Sequence, residues 1–221
     1  MTLQSPIPNS SSAPGFDVLP EALRGLARRG VTRSYRKHTL IIEEGTQGDT
    51  LYLLLSGRVK AFSIDHREHE VTYGVYGAGE YFGEMSLDGG PRSASVMALE
   101  PSVCVVLTRQ SLREHIAAEP EFAFELLSRV IRRARMATAN ARSMALLDVY
   151  GRVVQLLVSL ATPQLDGTRL IAERLTHGDI ASRVGCSREM VSRLLKDLEQ
   201  GDYIAISREG VRLLQSLPQR W

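Results

Sequence analysis

The chain has 221 residues, 43% of them hydrophobic and 24% charged, with a net charge of +2. That composition fits a soluble globular protein of one large domain or two small ones, in the cytoplasm, and no apolar run approaches the ~20 residues of a membrane span. The two cysteines, Cys104 and Cys186, supply no disulfide framework and fall short of the four thiolates an iron–sulfur cluster usually needs.

Residues 1–15, "MTLQSPIPNSSSAPG", carry neither a basic nor an apolar leader segment and read as a flexible tail. A short helix is expected over Asp17–Arg29. From Thr39 to Thr108 short apolar runs alternate with turns: "TLII", "TLYLLL", "RVKAFSI", "VTYGVY", "SASVMAL" and "SVCVVLT". Six or more such strands predict a β-barrel or sandwich over residues 16–108. The "DHREHE" segment is a charged hairpin tip, and its His66 and His69 read as solvent-exposed rather than as metal ligands.

After Thr108 the period changes. "RQSLREHIAA" is helical, and from Pro120 to Leu147 there is no further glycine or proline. Pro120 suits a first helical turn. Leu127, Ile131, Ala134, Thr138, Ala141 and Ala145 recur at spacings of four and three, a seam of mostly small residues that predicts close pairing with a second copy. Five arginines (Arg129, Arg132, Arg133, Arg135 and Arg142) and no acid occupy Leu126–Leu147; the plain reading is a solvated face. Residues 109–147 thus form a helix followed by a dimerisation helix, and 148–221 a further domain.

In that last domain "YGRVVQLLVSLA" is amphipathic and "TPQLDGT" is a loop. Thr176 and Asp179 have capping-box spacing, Gly185 suits a turn, and Ser187 suits an N-cap. Along the next helix Val191, Leu194, Leu195 and Leu198 share one face, opposite Arg188, Glu189, Ser192, Arg193 and Lys196. "AISREGVRLL" reads as strand, turn, strand. Helix, glycine turn, helix and hairpin make a winged helix-turn-helix. Such a helix presents its first turn to base edges in the major groove. Arg188 and Arg193 are suited to guanine, Glu189 to cytosine, and Ser192 and Lys196 to phosphates, with the N-cap Ser187 also among the expected DNA-binding residues.

The stretch "GEYFGEMSLDGGPRSASV" offers a second site. Arg92 is a planar fork of donors for a phosphate, with Ser93 beside it. Gly83 allows close approach of backbone N–H groups to an anion. Glu84 suits a sugar hydroxyl. A carboxylate for ribose and an arginine for phosphate point to a cyclic ribose phosphate, the alternative being a surface turn closed by a Glu84–Arg92 ion pair.

These residues carry a resemblance. "YFGEMSLDGGPRSASV" resembles the phosphate-binding cassette of cyclic-nucleotide-binding domains, and "GCSREMVSRLLKDLE" the recognition helix of the catabolite activator (CRP/FNR) family of bacterial transcription regulators. "EEGTQGDTLYLLLSGRVK" and "ALLDVYGRV" are similar to that family's early β-roll strands and hinge. The resemblance implies an α+β chain: an N-terminal β-roll (jelly-roll) nucleotide domain, a long dimerisation helix and a C-terminal winged helix-turn-helix. It also implies that Gly83, Glu84, Arg92 and Ser93 hold the ligand and that Thr138, beside Ala137, meets the base. Ala137 departs from the hydroxyl residue expected there, and the loop from Glu84 to Arg92 is short. The implied effector is cyclic AMP or cyclic GMP, with cyclic di-GMP as an alternative for which Arg129 and Arg133 would offer a pair of cations. No metal is implied. The implied partners are a second copy, an operator with TGTGA/TCACA half-sites and RNA polymerase. A ligand-independent DNA-binding regulator is a rival reading. So is an enzyme acting on cyclic nucleotides, although no G-x-S-x-G, H-E-x-x-H or P-loop is found.

Overall fold

The computed structural model describes residues 15–218. The tail expected over residues 1–15 lies outside the described residues apart from Gly15. The described chain forms two compact units. One takes residues up to Ala61 together with Val75–Leu127, and the other takes Phe62–Gly74 and the chain from Ser128 onward.

The mixed α and β architecture expected from the sequence is present. The first half holds β1 (Val31–Tyr35), β2 (Leu40–Ile42), β3 (Leu51–Ser56), β4 (Arg58–Ile64), β5 (Glu70–Gly77), β6 (Tyr81–Phe82), β7 (Ser95–Ala98) and β8 (Ser102–Leu107). They make two four-stranded sheets, ordered β1-β8-β3-β6 and β2-β7-β4-β5. Strand β3 lies between β8 and β6, so Leu51, Leu53, Leu54 and Leu55 are all buried and its sequence runs continuously apolar. Removing such a side chain from water stabilises the fold by about 1.5–3 kcal/mol. Phe82 stacks on Tyr52 across the β3–β6 pair, with ring centroids 5.0 Å apart. Cys104 is fully enclosed in this core, and burial pushes its thiol up to about 12.

The expected N-terminal helix is split. A 3-10 turn over Phe16–Val18 precedes α1 (Glu21–Ala27), because Pro20 stands at the N-cap in an extended conformation. Strand β1 was not legible in the sequence reading. It is an edge strand on β8 whose residues are nearly all exposed, so it has no apolar alternation.

Helix α2 (Arg109–Ala118) is capped by the Thr108 hydroxyl, which accepts from the Ser111 N–H. Helix α3 (Glu121–Leu146) follows Pro120 directly and buries only Phe122 among its 26 residues. Leu127, Ile131 and Met144 stay 52%, 42% and 43% exposed. Helix α4 (Val149–Leu160) starts afresh because the Asp148 carboxylate accepts from Gly151 N–H at 2.7 Å. The C-terminal half adds β9 (Thr162–Pro163), β10 (Arg169–Ile171), α5 (His177–Val184), α6 (Arg188–Gln200), β11 (Ile204–Ser207) and β12 (Gly210–Leu213). The "TPQLDGT" segment expected as a loop instead begins as strand β9 and leads into β10, both drawn into a sheet ordered β11-β12-β10-β9. Tyr150, Leu157, Ile180, Val191, Leu195 and Leu198 lie in one core beneath α4, α5 and α6.

Candidate functional site

The glycine-rich stretch turns the Glu84 and Arg92 side chains away from solvent. Gly83 adopts φ 89°, a left-handed conformation that favours glycine, and starts a 3-10 turn over Glu84–Ser86. Glu84 is only 7% exposed and Arg92 only 6%. The backbone of Arg92 is tied to the turn before β3: its N–H donates to Thr46 O at 2.9 Å, and Gly45 N–H donates to its carbonyl at 2.8 Å. Its guanidinium then reaches the start of β3. Nη1 donates to Gly83 O at 2.8 Å and Thr50 O at 3.0 Å, and Nη2 donates to Thr50 Oγ1 at 2.8 Å. Gly83, Glu84 and Arg92 therefore come together, while Ser93 is exposed at the rim. Thr50 is the residue that the sequence reading missed. No motif marks it, and its contact with Arg92 spans 42 positions.

Thr138 lies on α3, in the other unit, and its hydroxyl donates to Ala134 O at 3.0 Å. His66 and His69 are exposed, with His69 Nδ1 3.4 Å from Asp65 Oδ2. Among the described residues no group of three or more His, Cys, Asp or Glu side chains is placed to hold a metal ion. No helix among them is long and apolar enough to cross a membrane.

The second constellation is built on α5 and α6. Thr176 and Asp179 form a reciprocal cap: Asp179 N–H donates to Thr176 Oγ1 at 3.1 Å, and Thr176 N–H donates to Asp179 Oδ2 at 2.7 Å. Gly185 ends α5 in the left-handed conformation, φ 66°. Arg152 of α4 donates through Nε to Val184 O at 2.8 Å and through Nη1 to Leu147 O at 2.9 Å, so it holds the carbonyls of this turn and of the preceding helix end. Ser187 caps α6 by accepting from Met190 N–H at 3.2 Å, an interaction worth about 1 kcal/mol.

Val191, Leu194, Leu195 and Leu198 are buried, and Ser187, Arg188, Glu189, Arg193 and Lys196 are exposed on the opposite face. The Glu189 carboxyl is held below its ordinary value, first by its own backbone N–H and then by the Ser187 hydroxyl. It stays an ionised acceptor at neutral pH. Ser192 is half-buried, donates to Arg188 O at 3.0 Å and lies 2.7 Å from His177 Nδ1, so its hydroxyl also braces α6 against α5. Strands β11 and β12 close a two-residue turn at Arg208–Glu209, the wing.

A buried arginine beside a buried carboxylate on a β-roll, followed along the chain by a capped helix-turn-helix, defines a class: regulators with a nucleotide-binding domain and a DNA-binding domain. The family model of the cyclic nucleotide-binding domain matches residues 32–119, and that of the Crp-like helix-turn-helix domain matches residues 151–216. The chain is 33% identical over 205 residues to the CRP-like cAMP-activated global transcriptional regulator of Mycobacterium tuberculosis, covering 90% of this chain and 91% of that one. It is 33% identical over 177 residues to the cAMP-activated global transcriptional regulator CRP of Haemophilus influenzae, covering 77% of this chain and 78% of the other. Its fold is shared with the c-di-GMP responsive regulator CLP of Xanthomonas campestris, with a TM-score of 0.75 at 24% identity, over 88% of this chain and 98% of that one. The chain belongs to the CRP/FNR family of transcription regulators, with a cyclic nucleotide-binding domain and a helix-turn-helix.

Proposed function

We propose that the protein is a dimeric regulator that binds a cyclic purine mononucleotide, cyclic AMP first, and couples that binding to recognition of a pseudo-palindromic operator. The observation that carries this reading is the buried Arg92, anchored beside Gly83 and Glu84. In this reading Arg92 and Ser93 take the cyclic phosphate with the backbone at Gly83, and Glu84 accepts from the ribose hydroxyl. Thr138 meets the base. A cation fork and a single carboxylate match the charge of one phosphate and one sugar. The cAMP-activated relatives support the same effector. The structural likeness to a c-di-GMP responsive protein, at 24% identity, supports the fold alone. The protein acts by binding rather than by catalysis, works in the cytoplasm, and meets RNA polymerase at its promoters.

On DNA, Arg188 and Arg193 each read a guanine, Glu189 reads a cytosine on the opposite strand, and Ser187, Ser192 and Lys196 line the phosphate rim. Two recognition helices on one two-fold axis call for half-sites like TGTGA/TCACA about one helical turn apart. A binding selection on randomised duplexes, run with cyclic AMP, tests this. The wild type is expected to recover two-fold symmetric sites. Arg188→Ala is expected to weaken binding by roughly 1–3 kcal/mol and to lose preference at one guanine per half-site. Lys196→Ala is expected to weaken all sequences alike and flatten the salt dependence. Sites without symmetry, or the same guanines selected by Arg188→Ala, would remove α6 from the reading role.

A further inference from the structure

The last carbonyls of an α-helix find no N–H within their own helix, and a cation beside them is favourable. Leu147 follows the last residue of α3, and Val184 is the last residue of α5, so both carbonyls are of this kind. One side chain takes both. Arg152, near the start of α4, donates from Nη1 to Leu147 O at 2.9 Å and from Nε to Val184 O at 2.8 Å, and its Nη2 lies 3.5 Å from Gly185 O. A guanidinium holds its donors in fixed directions, so the two helix ends are set at one separation and angle.

Two further contacts join the same parts, all within one compact unit. The Ser143 hydroxyl, on the last turn of α3, donates to Gln155 Oε1 of α4 at 2.6 Å. A Cβ at Gly185 would stand 2.8 Å from the Met144 methyl carbon, so Met144 rests on the turn between α5 and α6. None of these elements needs Arg152 in order to form. Asp148 caps α4, Thr176 and Asp179 cap α5, Ser187 caps α6, and Gly185 makes the turn. What Arg152 adds is the placement of the reading unit against the end of α3.

We infer that Arg152 is a positioning residue for DNA recognition: by capping α3 and α5 together it fixes the reading helix relative to α3, and so sets the spacing at which a dimer accepts two half-sites. The inference rests on the proposed pairing through α3 and reading by α6. Moving one half-site by a single base pair turns it by about 34° around the duplex and shifts it by about 3.4 Å. A stiff connection penalises that change. A loose one follows it, but presents the second helix to the best site at a lower effective concentration.

The test is fluorescence anisotropy with wild type and Arg152→Met, in millimolar cyclic AMP, on three kinds of labelled duplex. The first carries the two-fold site that the wild type recovers in the selection described above. The second is that site with its spacer lengthened or shortened by one or two base pairs, and the third has a single half-site. Methionine keeps an unbranched stem and removes the donors. The wild type is expected to lose about tenfold or more when the spacer changes by one base pair. Arg152→Met is expected to bind the best site about tenfold more weakly and to respond far less to the spacer, while its affinity for the single half-site stays within about twofold. Thermal unfolding checks that the variant is folded, and Arg152→Lys, which keeps the charge but not the fork, replaces it if it is not. A spacing preference as sharp as that of the wild type would overturn the positioning role. So would an equal loss on the single half-site, because Arg152 would then only support the fold of the reading unit. A selection that recovers no two-fold site, or a wild type that binds two half-sites no more tightly than one, would instead overturn the dimeric reading on which it rests.

Discussion

Replacing Arg92 with alanine is expected to weaken cyclic AMP binding by at least tenfold while the β-roll stays folded. A charge-assisted hydrogen bond to a phosphate contributes roughly 1.5–3 kcal/mol, and each ~1.4 kcal/mol is a factor of ten. The fold is expected to survive because the loop is also held through its backbone, by the pairing of Arg92 with Thr46 and Gly45. The freed acceptors, Thr50 O and Gly83 O, can be met by water in the space that the side chain leaves. Arg92→Lys is a useful companion. It keeps the charge but loses the planar fork, so it is expected to fall between alanine and wild type. Calorimetry on the purified variants reads both effects. An alanine variant that binds cyclic AMP as the wild type does would mean that the nucleotide sits elsewhere.

The second large effect is expected on α3. A helix of 26 residues that buries only Phe122 within its own chain exposes Leu127, Ile131 and Met144 to solvent. Apolar side chains repeating along a largely exposed helix favour pairing with a copy, and the small residues Ala134, Ala141 and Ala145 allow close approach. Ala134→Glu combined with Ala141→Glu would set like charges against each other on the proposed two-fold axis. An uncompensated buried charge costs several kcal/mol, so the double variant is expected to sediment as a monomer. Operator affinity is then expected to fall about 100-fold or more, because one recognition helix loses the help of the other. A double variant that still sediments as a dimer would place the interface away from this seam.

The parts of this molecule that were legible in the sequence are the local ones. Thr176, Asp179, Gly185 and Ser187 mark the two helices of the DNA-reading unit within a dozen positions, and the structure forms a cap or turn at each. Glycine and arginine in the cassette were legible by residue type and by resemblance. What escaped depends on contacts distant in sequence. Strand β1 is an exposed edge that owes its form to pairing with β8. Strands β9 and β10 have two and three residues, and β10 is drawn into the sheet by β12. Thr50 looks like any polar residue before a strand until Arg92 folds onto it. Ser192 reads as a phosphate contact on a helical wheel, yet His177, 15 positions away, shares its hydroxyl. Arg152 belongs by pattern to an amphipathic helix and works by holding the Val184 carbonyl at the turn between α5 and α6.

The central claim is that nucleotide binding and DNA binding are coupled in one chain. Coupling free energies of this kind are typically about 1–3 kcal/mol, which is roughly 5–150-fold in affinity. The measurement is fluorescence anisotropy of a labelled duplex carrying TGTGA/TCACA half-sites, titrated with protein at fixed salt, without nucleotide and with cyclic AMP at a concentration that calorimetry shows to be saturating. The account predicts two affinities that differ by at least about fivefold, with the difference abolished in Arg92→Ala. A single affinity, the same with and without bound cyclic AMP, would contradict it.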